Sequence, residues 1–386
     1  MTKEISDACD LYGHGGNIYR LAGELRMQER QIIDFSASVN PLGVSKKVKA
    51  EMRKHLKYLH NYPDPEAGRL RKRLAQYHGI DTETILCGNG STGLIYLITK
   101  GLKPQRVLIP SPTFSEYEKA CKSRSETRVM RYMLKEENNF YIDPDEYIKA
   151  MEGKSSVAEI QDSDSSPVTR HSSPSSDMAF LCNPNNPTGR LLRREDIIRI
   201  ANAAKELKCY LIVDEAFMDF CADESAIKDV EANRYLIVLR SLTNFYALSG
   251  LRIGYGVFPR HLIGGLKECG EPWTVNSLAQ RAAVVAIKDK VFRGETLRLI
   301  KGEKRFLEKG FRKLGIEFFS SDTNFYLLKM SGANEMCRQL ERRGILVRDC
   351  ANFKGLDDTY LRVAVKSHRE NTILIRELTT ILQNLS

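Results

Sequence analysis

Short apolar segments alternate with amphipathic helical patterns through the middle of the chain, and this alternation constrains the fold more than any other feature. The helical patterns include Arg69–His78 and Leu94–Lys100. The apolar segments are four or five residues long and are bounded by turn-forming or polar residues: Thr84–Cys87, Arg106–Ile109, Met178–Cys182, Cys209–Val213 and Tyr235–Leu239. Strands that are apolar along their whole length are buried on both faces, as in a mostly parallel sheet covered by helices. The sequence therefore predicts an α/β fold.

The pattern changes after about residue 270, and the change indicates a second, smaller unit. Long helical patterns fill residues 276–313, and a final amphipathic helix is predicted over Arg369–Leu385. Between them lie four short strand patterns, Glu317–Phe319, Asn324–Leu328, Ile345–Val347 and Tyr360–Val365. We therefore expect a large domain over residues 45–270 and a smaller α+β domain built from residues 1–44 and 271–386.

Residues 154–177 form a serine-rich stretch that also contains Pro167 and Pro174. Such a composition buries little apolar surface. The sequence predicts a flexible surface loop here, and no function follows from it.

Composition narrows the class of protein. With 386 residues, 42% of them hydrophobic and 28% charged, the chain suits a globular protein with a sizeable core. Lys and Arg outnumber Asp and Glu by 59 to 49, which gives a net charge of +10. The sharpest basic cluster, Arg69–Arg73, lies in a helical pattern without interleaved aromatic residues. An enzyme that binds small anions is therefore favoured over a nucleic-acid binder.

Targeting signals and metal-binding patterns are missing from the sequence. No run of about eighteen apolar residues is present, and Met1–Asp7 lacks the apolar core of a secretion signal. The nine cysteines form no CxxC pair and do not lie near histidines at metal-ligand spacing. We expect a cytoplasmic protein with reduced thiols, no metal site and no membrane partner.

Four motifs in chain order suggest a ligand site. A glycine-rich turn, Gly88–Thr92, links a strand pattern to a helix pattern, where backbone amides suit a phosphate. Asp214 ends an apolar strand pattern, at the edge where open α/β sheets bind ligands. The other two motifs are the turn Asn183–Gly189 (Asn-Pro-Asn-Asn-Pro-Thr-Gly) and the segment Arg240–Tyr255. Each motif alone also fits a connector or a helix cap.

Together the four motifs resemble the fold-type I pyridoxal-phosphate enzymes of the aminotransferase superfamily, across nearly the whole chain. Further segments resemble the threonine-phosphate decarboxylases more closely than the related histidinol-phosphate aminotransferases: His14–Asn17, Asp34–Gly43, Tyr62–Pro65, Glu271–Gln280 and Arg348–Leu356. The resemblance implies a large domain with a mostly parallel seven-stranded sheet, a smaller α+β domain and pyridoxal 5'-phosphate as cofactor.

The resemblance also implies roles for individual residues. Asp214 would pair with the pyridinium nitrogen, and Asn183 would donate to the phenolic oxygen of the ring. Phe114 would stack on the ring, with Tyr117 as the second choice. The cofactor phosphate would be held by Gly90, Ser91, Ser241, Arg252 and, from a neighbouring subunit of a homodimer, Tyr62. The substrate's carboxylate and phosphate would be gripped by His14, Gly15, Asn40, Asn183, Arg348 and Arg362.

Asn244 departs from the family pattern, because it stands where the family has its Schiff-base lysine. A carboxamide nitrogen is delocalised, so it neither forms that covalent bond nor shuttles protons. The next lysines in sequence, Lys228 and Lys267, lie in different local patterns. Two origins remain open: a substitution introduced to trap a complex, or a natural change in a non-catalytic homologue.

The implied reaction is decarboxylation of O-phospho-L-threonine to (R)-1-aminopropan-2-yl phosphate in cobalamin biosynthesis, impaired by Asn244. Two alternatives stay open. One is an aminotransferase of the histidinol-phosphate type, and the other is a non-catalytic protein that binds the cofactor or substrate. Preference between phosphothreonine and phosphoserine is not decided by any motif.

Overall fold

A computed structural model describes residues 15–123, 126–155, 158–160 and 175–385. His14, Cys9 and most of the predicted serine-rich loop lie outside these residues. The strands are β1 (Ile33–Asp34), β2 (Ile85–Gly88), β3 (Arg106–Ser111), β4 (Arg128–Met133), β5 (Ala158–Ile160), β6 (Met178–Cys182), β7 (Tyr210–Asp214), β8 (Leu236–Ser241), β9 (Gly254–Val257), β10 (Glu317–Phe318), β11 (Phe325–Lys329), β12 (Ile345–Leu346), β13 (Arg348–Asp349) and β14 (Tyr360–Ala364). The α-helices are α1 (Ile18–Leu25), α2 (Lys46–His55), α3 (Gly68–His78), α4 (Gly90–Leu102), α5 (Glu116–Lys122), α6 (Pro144–Met151), α7 (Arg194–Glu206), α8 (Arg260–Cys269), α9 (Ser277–Ala286), α10 (Lys290–Lys313), α11 (Ala333–Glu341) and α12 (His368–Leu385).

The large sheet has the strand order β2-β9-β8-β7-β6-β3-β4-β5. The strands β8, β7, β6, β3 and β4 run parallel to one another, and β9 is antiparallel to both β2 and β8. Two apolar clusters cover the two faces of this sheet, which explains why its strands are apolar along their length. The predicted α/β fold is confirmed.

Strand β5 adds an eighth strand to the seven that the sequence predicts. Ala158–Ile160 pairs antiparallel with β4 at the edge of the sheet. This strand lies inside the segment predicted as a loop, so the described part of that segment is not wholly irregular. Backbone pairing with a neighbouring edge does not need apolar side chains, and composition therefore gives no sign of it.

The second unit consists of a four-stranded antiparallel sheet, β10-β11-β14-β13, and a two-stranded sheet, β1-β12. Its core contains residues from β11 and β14 together with α10, α11 and α12. Phe35, just after β1, donates its N–H to Leu346 O and accepts from Ala364 N–H. Residues from both parts of the chain therefore meet in this unit.

Helix α9 packs with the helices that cover the large sheet. It packs against α2 and α3, and its residues Ala279, Ala282 and Ala283 are buried in the core on that side of the sheet. Residues 275–292 thus contact the large unit, although the predicted small domain begins at residue 271. The division at residue 270 stays a prediction.

The carboxyl ends of the parallel strands lie at one edge of the large sheet. Asp214 ends β7, Ser241 ends β8, and Asn183 follows β6 directly. Adjacent parallel strands present their ends together, so the predicted site residues of these three segments share one edge. Among the described residues, the eight cysteines are free and at least half-buried, and no helix there is both long and apolar enough to cross a bilayer.

Candidate active site

A cavity of about 740 Å³ opens at this edge, between the large sheet, the N-terminal segment and strands β13 and β14. Nine of the predicted site residues line it: Gly15, Ser91, Phe114, Asp214, Ser241, Asn244, Arg252, Arg348 and Arg362. A larger cavity of about 1070 Å³ lies along α4 and shares Thr92 and Arg252 with the first. The smaller cavity holds the strand ends, and we therefore take it as the candidate site.

Asp214 is a buried carboxylate at the floor of the site. It is 2% exposed, accepts a hydrogen bond from Tyr117 OH at 2.8 Å and accepts another from Ala216 N–H at 3.1 Å. Burial raises its pKa to about 6, and the two hydrogen bonds oppose that rise. Within the described chain it forms no ion pair. A cationic ligand group would offset the cost of burying this charge.

Four residues, Gly90, Ser91, Ser241 and Arg252, form what we call the anion site. Helix α4 begins at Gly90, so its free backbone amides and the positive end of its dipole face the cavity. Gly90 has φ +72°, and a Cβ there would lie 2.7 Å from Nη2 of Arg252. Glycine therefore permits the guanidinium to approach the helix end, and both features favour an anion.

Arg348 and Arg362, the guanidinium pair, face each other across two antiparallel strands. Their Cα atoms are register partners in β13 and β14, so their side chains lie on one face of the sheet. Arg362 donates from Nη2 to Ser36 O at 2.7 Å and from Nη1 to Asn186 Oδ1. Arg348 donates from Nη2 to Asn352 Oδ1 at 2.7 Å. These bonds aim both guanidinium groups at the cavity.

The Arg362 guanidinium is buried beside a second positive charge, that of Arg348. Burial, together with the charge of Arg348, lowers the pKa of Arg362 to about 10. Among the described residues, the Arg362 guanidinium bonds to an amide oxygen and a backbone carbonyl but to no carboxylate, and its buried Nε makes no hydrogen bond. Like charges opposite each other on a sheet are destabilising. A ligand with one or two anionic groups would relieve this repulsion.

Asn244 lies on the cavity in the segment that follows β8. Its backbone carbonyl accepts a hydrogen bond from Asn40 N–H at 2.9 Å. Within the described chain its carboxamide makes no hydrogen bond, and no lysine is among the residues that line the cavity. No described residue therefore supplies an amine in place of a lysine at position 244.

Comparison with known proteins decides the family. The family model described as aminotransferase class I and II matches residues 30–378. The chain belongs to this family. Threonine-phosphate decarboxylase of Salmonella typhimurium (strain LT2) is 34% identical over 377 residues, 97% of each chain. The adenosylcobalamin biosynthesis bifunctional protein CobDQ of Leptospira interrogans is 30% identical over 95% of this chain and 41% of its own length. The crystal structure of histidinol-phosphate aminotransferase from Clostridium acetobutylicum superposes with a TM-score of 0.80 at 29% identity, over 92% of this chain and 100% of that one.

Pyridoxal 5'-phosphate is the cofactor of this aminotransferase family, and the residues present fit it. The buried carboxylate of Asp214 lacks a cation in the described chain, which suits a protonated ring nitrogen. The N-terminus of α4 beside Arg252 suits a phosphate group. The cavity thus offers a carboxylate for the cationic ring nitrogen of the cofactor and a positively charged region for its phosphate.

Asn183 does not contact the cavity, and its predicted place is taken by Asn186. The Asn183 carboxamide is buried and pairs with the backbone of Leu192, donating to its O at 2.9 Å and accepting from its N–H at 2.8 Å. These bonds close the turn after β6. Asn186 lies on the cavity instead and accepts from Arg362. The prediction of a ligand contact at Asn183 is corrected accordingly.

The Asn40 side chain also makes its hydrogen bonds within the protein rather than at the cavity. Its Nδ2 donates to Phe245 O and to Thr296 Oγ1, both at 2.7 Å, and its backbone N–H donates to Asn244 O. The residue is 2% exposed and is not among those lining the cavity. The predicted substrate contact is therefore replaced by a structural one, which ties the segment carrying Asn244 to helix α10.

The remaining predicted residues divide between the cavity and the surface. Gly15 lies on the cavity against Ser36, whose O would be 2.5 Å from a Cβ at residue 15. Tyr62 is 81% exposed, and its ring centroid is 5.0 Å from that of Trp273. Tyr117, predicted as a second choice for stacking on the cofactor, is buried against Phe180 and bonds to Asp214 instead.

The raised pKa of Asp214 predicts a pH-dependent stability of the ligand-free protein. The unfolded chain loses this proton near pH 4 and the folded chain near pH 6, so the folded state binds more protons between these values. The free energy of unfolding should therefore fall by about 3 kcal/mol from about pH 4 to about pH 7 because of this one group. Urea unfolding of the chain and of Asp214→Asn at both pH values measures the difference. An unchanged difference between the two proteins across this range would contradict the prediction.

Proposed function

We propose that this chain binds pyridoxal 5'-phosphate and O-phospho-L-threonine in the site of a decarboxylase that yields (R)-1-aminopropan-2-yl phosphate for cobalamin biosynthesis. The observation that carries the proposal is the guanidinium pair, two positively charged side chains on one face of the sheet that line one cavity. A substrate with a carboxylate and a phosphate supplies two matching charges. The 34% identity to threonine-phosphate decarboxylase over 97% of each chain supports the same substrate.

The chain's own residues would hold the cofactor at three points. Asp214 keeps a proton on the ring nitrogen, with Tyr117 fixing the carboxylate. The anion site binds the cofactor phosphate through the α4 amides, Ser241 and Arg252. Phe114, on the cavity wall, covers the ring. When bound, the cofactor supplies an electron sink for the pair released from the bond between the substrate carbon and its carboxylate.

The guanidinium pair and its neighbours orient the substrate in this proposal. Arg362, fixed by Ser36 and Asn186, binds one anionic group of the substrate, and Arg348, fixed by Asn352, binds the other. Planar guanidinium groups bind carboxylate or phosphate with two parallel hydrogen bonds, which fixes direction as well as position. Because Gly15 has no Cβ, the N-terminal segment can pack against the Ser36 carbonyl that accepts from Arg362. His14 is proposed as a further substrate contact from the sequence resemblance alone.

Asn244 removes the amine that the family reaction uses at this position. Without an amine, the chain holds cofactor and substrate by contacts that involve no covalent bond. It also lacks the base that moves a proton at the substrate carbon. We therefore propose that binding is retained and that turnover is strongly impaired.

A test of this function uses product identity. An Asn244→Lys variant is mixed with O-phospho-L-threonine and excess pyridoxal 5'-phosphate, and carbon dioxide and keto product are measured together. Carbon dioxide released with one equivalent of amine phosphate supports the decarboxylase. Keto product with pyridoxamine phosphate would favour an aminotransferase, the function named for the solved structure at TM-score 0.80. If neither carbon dioxide nor keto product is detected, the decarboxylase proposal is overturned and the non-catalytic binding protein is favoured.

We also propose a homodimer in which Tyr62 reaches the partner's cofactor phosphate. Tyr62 and Trp273 contact each other on the surface with tilted rings and are 81% and 46% exposed. Three further large apolar side chains just before Tyr62 in sequence are also exposed: Leu56, Tyr58 and Leu59. An exposed patch of this kind is typical of a protein–protein contact.

A double variant Tyr62→Ala/Trp273→Ala is expected to sediment as a monomer where the unaltered chain sediments as a dimer. Both side chains are exposed aromatics in the patch, and interface aromatics commonly dominate binding energy. Val291→Ala, at a residue 64% exposed elsewhere, is the matched control and should remain dimeric. Equal sedimentation of the double variant and the control would contradict the prediction.

A further inference from the structure

A buried ionic cluster lies directly beneath the candidate site. Arg240, Glu215 and Asp219 are 2%, 0% and 3% exposed. Arg240 Nη1 lies 3.0 Å from Glu215 Oε2, and Arg240 Nη2 lies 3.0 Å from Asp219 Oδ1. None of the three lines the cavity, so no ligand contact explains them.

The position of this cluster in the sheet links the two parts of the site. Glu215 directly follows Asp214, and Arg240 directly precedes Ser241, at the ends of the neighbouring strands β7 and β8. Successive residues of a strand point to opposite faces, so the ion pair lies behind the two cavity residues. The backbone N–H of Glu215 also donates to Leu239 O at 2.8 Å, which extends the pairing by one residue.

Glu215 is itself held in place from the other side. Ser225 Oγ donates to Oε2 at 2.5 Å, and Ala226 N–H donates to Oε1 at 2.8 Å. Arg240 therefore bonds to a carboxylate that cannot rotate freely. The other terminal nitrogen of Arg240, Nη2, contacts Asp219 Oδ1, which also lies 3.8 Å from Nη1 of Arg293 in α10.

We propose that Arg240 is a positioning residue, which sets the spacing between Asp214 and Ser241 through its two-armed contact with Glu215 and Asp219. The inference rests on the proposed cofactor site, in which Asp214 meets the ring nitrogen and Ser241 meets the phosphate. These are opposite ends of one rigid ligand, so a shift of either strand end misplaces a contact. Arg240 touches neither ligand end and acts only through the residues beside it.

Stability alone is a weak reason for such a cluster. A buried ion pair gives little net stabilisation compared with apolar side chains of the same volume, whereas its directional bonds define one relative position of the groups they join. The charge of Glu215 also raises the pKa of Asp214, so the guanidinium that neutralises Glu215 limits this effect. Geometry and charge thus point to the same role.

The test measures cofactor binding with pyridoxamine 5'-phosphate, which has no aldehyde and does not react with surface lysines. The variants are Ser225→Ala, which frees one side of Glu215, and Arg240→Lys, which keeps the charge and loses the two-armed geometry. The matched control is Ser367→Ala, because Ser367 Oγ also donates to a glutamate, Glu370 Oε2 at 2.5 Å, away from the site. Dissociation constants and the induced circular dichroism of the bound ring are recorded at a temperature where every variant is folded.

Both test variants are expected to bind roughly tenfold more weakly, the size of loss typical when a residue supporting a ligand contact is removed. The induced circular dichroism should also change, because the ring is held differently, while Ser367→Ala matches the unaltered chain. If Arg240→Lys does not fold, Ser225→Ala decides. Equal affinity and equal dichroism for Ser225→Ala and Ser367→Ala would overturn the inference. Failure of the unaltered chain to bind would overturn the cofactor site, and this inference with it.

Discussion

Replacing Asn244 with lysine is expected to raise the rate of carbon dioxide release from O-phospho-L-threonine by roughly 10⁴-fold, since general-base catalysis alone contributes 10²- to 10⁴-fold and a covalent role is restored with it. Asn244 lies on the cavity, and its backbone is fixed by Asn40. The lysine side chain would therefore start from an ordered position. Release of labelled carbon dioxide under saturating cofactor measures the ratio between the two proteins.

Asn244→Gln is the control for this gain. It lengthens the side chain and keeps a carboxamide, so a change in size without an amine should leave the rate at the level of the unaltered chain. If the rate of carbon dioxide release rises in Asn244→Gln as much as in Asn244→Lys, the amine is not the cause of the gain. If the unaltered chain turns over at the rate of the lysine variant, a different residue acts as the base and our account of position 244 is wrong.

Arg362→Met is expected to lower kcat/KM for O-phospho-L-threonine by roughly 10³-fold in the Asn244→Lys background, because breaking a buried charged contact costs 2–5 kcal/mol or more. The same change should leave the melting temperature unchanged or raise it. Arg362 has no carboxylate within 4 Å in the described chain, and it faces the like charge of Arg348. Loss of a charge that repels its neighbour does not destabilise the folded state.

Arg71→Met provides the matched control. Arg71 is also a buried arginine, but it bonds to Glu66 and Glu83 and lies outside the candidate site. It should lower the melting temperature and leave KM unchanged, the opposite of Arg362→Met. A fall in melting temperature for Arg362→Met as large as that for Arg71→Met would show that Arg362 is a structural residue.

Much of the fold follows from the sequence because its strands are buried on both faces. Met178–Cys182 is a strand with the predicted bounds, and Cys209–Val213 differs from the observed β7 by one residue at each end. The carboxylate of Asp214 was predictable for the same reason, since a charged residue directly after a buried strand lies at the ligand-binding edge. The twelve α-helices and fourteen strands of the described chain extend this pattern to both units.

Other features depend on contacts between distant residues, which a local pattern does not contain. The turn Asn183–Gly189 has two Asn-Pro pairs, and only the backbone of Leu192 decides that Asn183 is used internally and Asn186 faces the cavity. Asn40 is used by Phe245 and Thr296, more than 200 residues away. Tyr117 carries an aromatic ring that suits stacking, and its hydroxyl bond to Asp214 is visible only in three dimensions.

The pairing of β2 with β9 has a consequence for the order in which the protein is made. Among the described strands, residues 85–88 pair only with residues 254–257, so β2 has no partner until a segment about 170 residues later has been synthesised. The anion site joins Gly90 to Arg252 across the same interval. A nascent chain that ends before residue 254 therefore leaves β2 without its partner strand, and one that ends before residue 252 also lacks Arg252 of the anion site. Such long-range pairing folds slowly and leaves strand edges open to aggregation in the meantime. We therefore expect the complete phosphate site to form only after Arg252 has been synthesised.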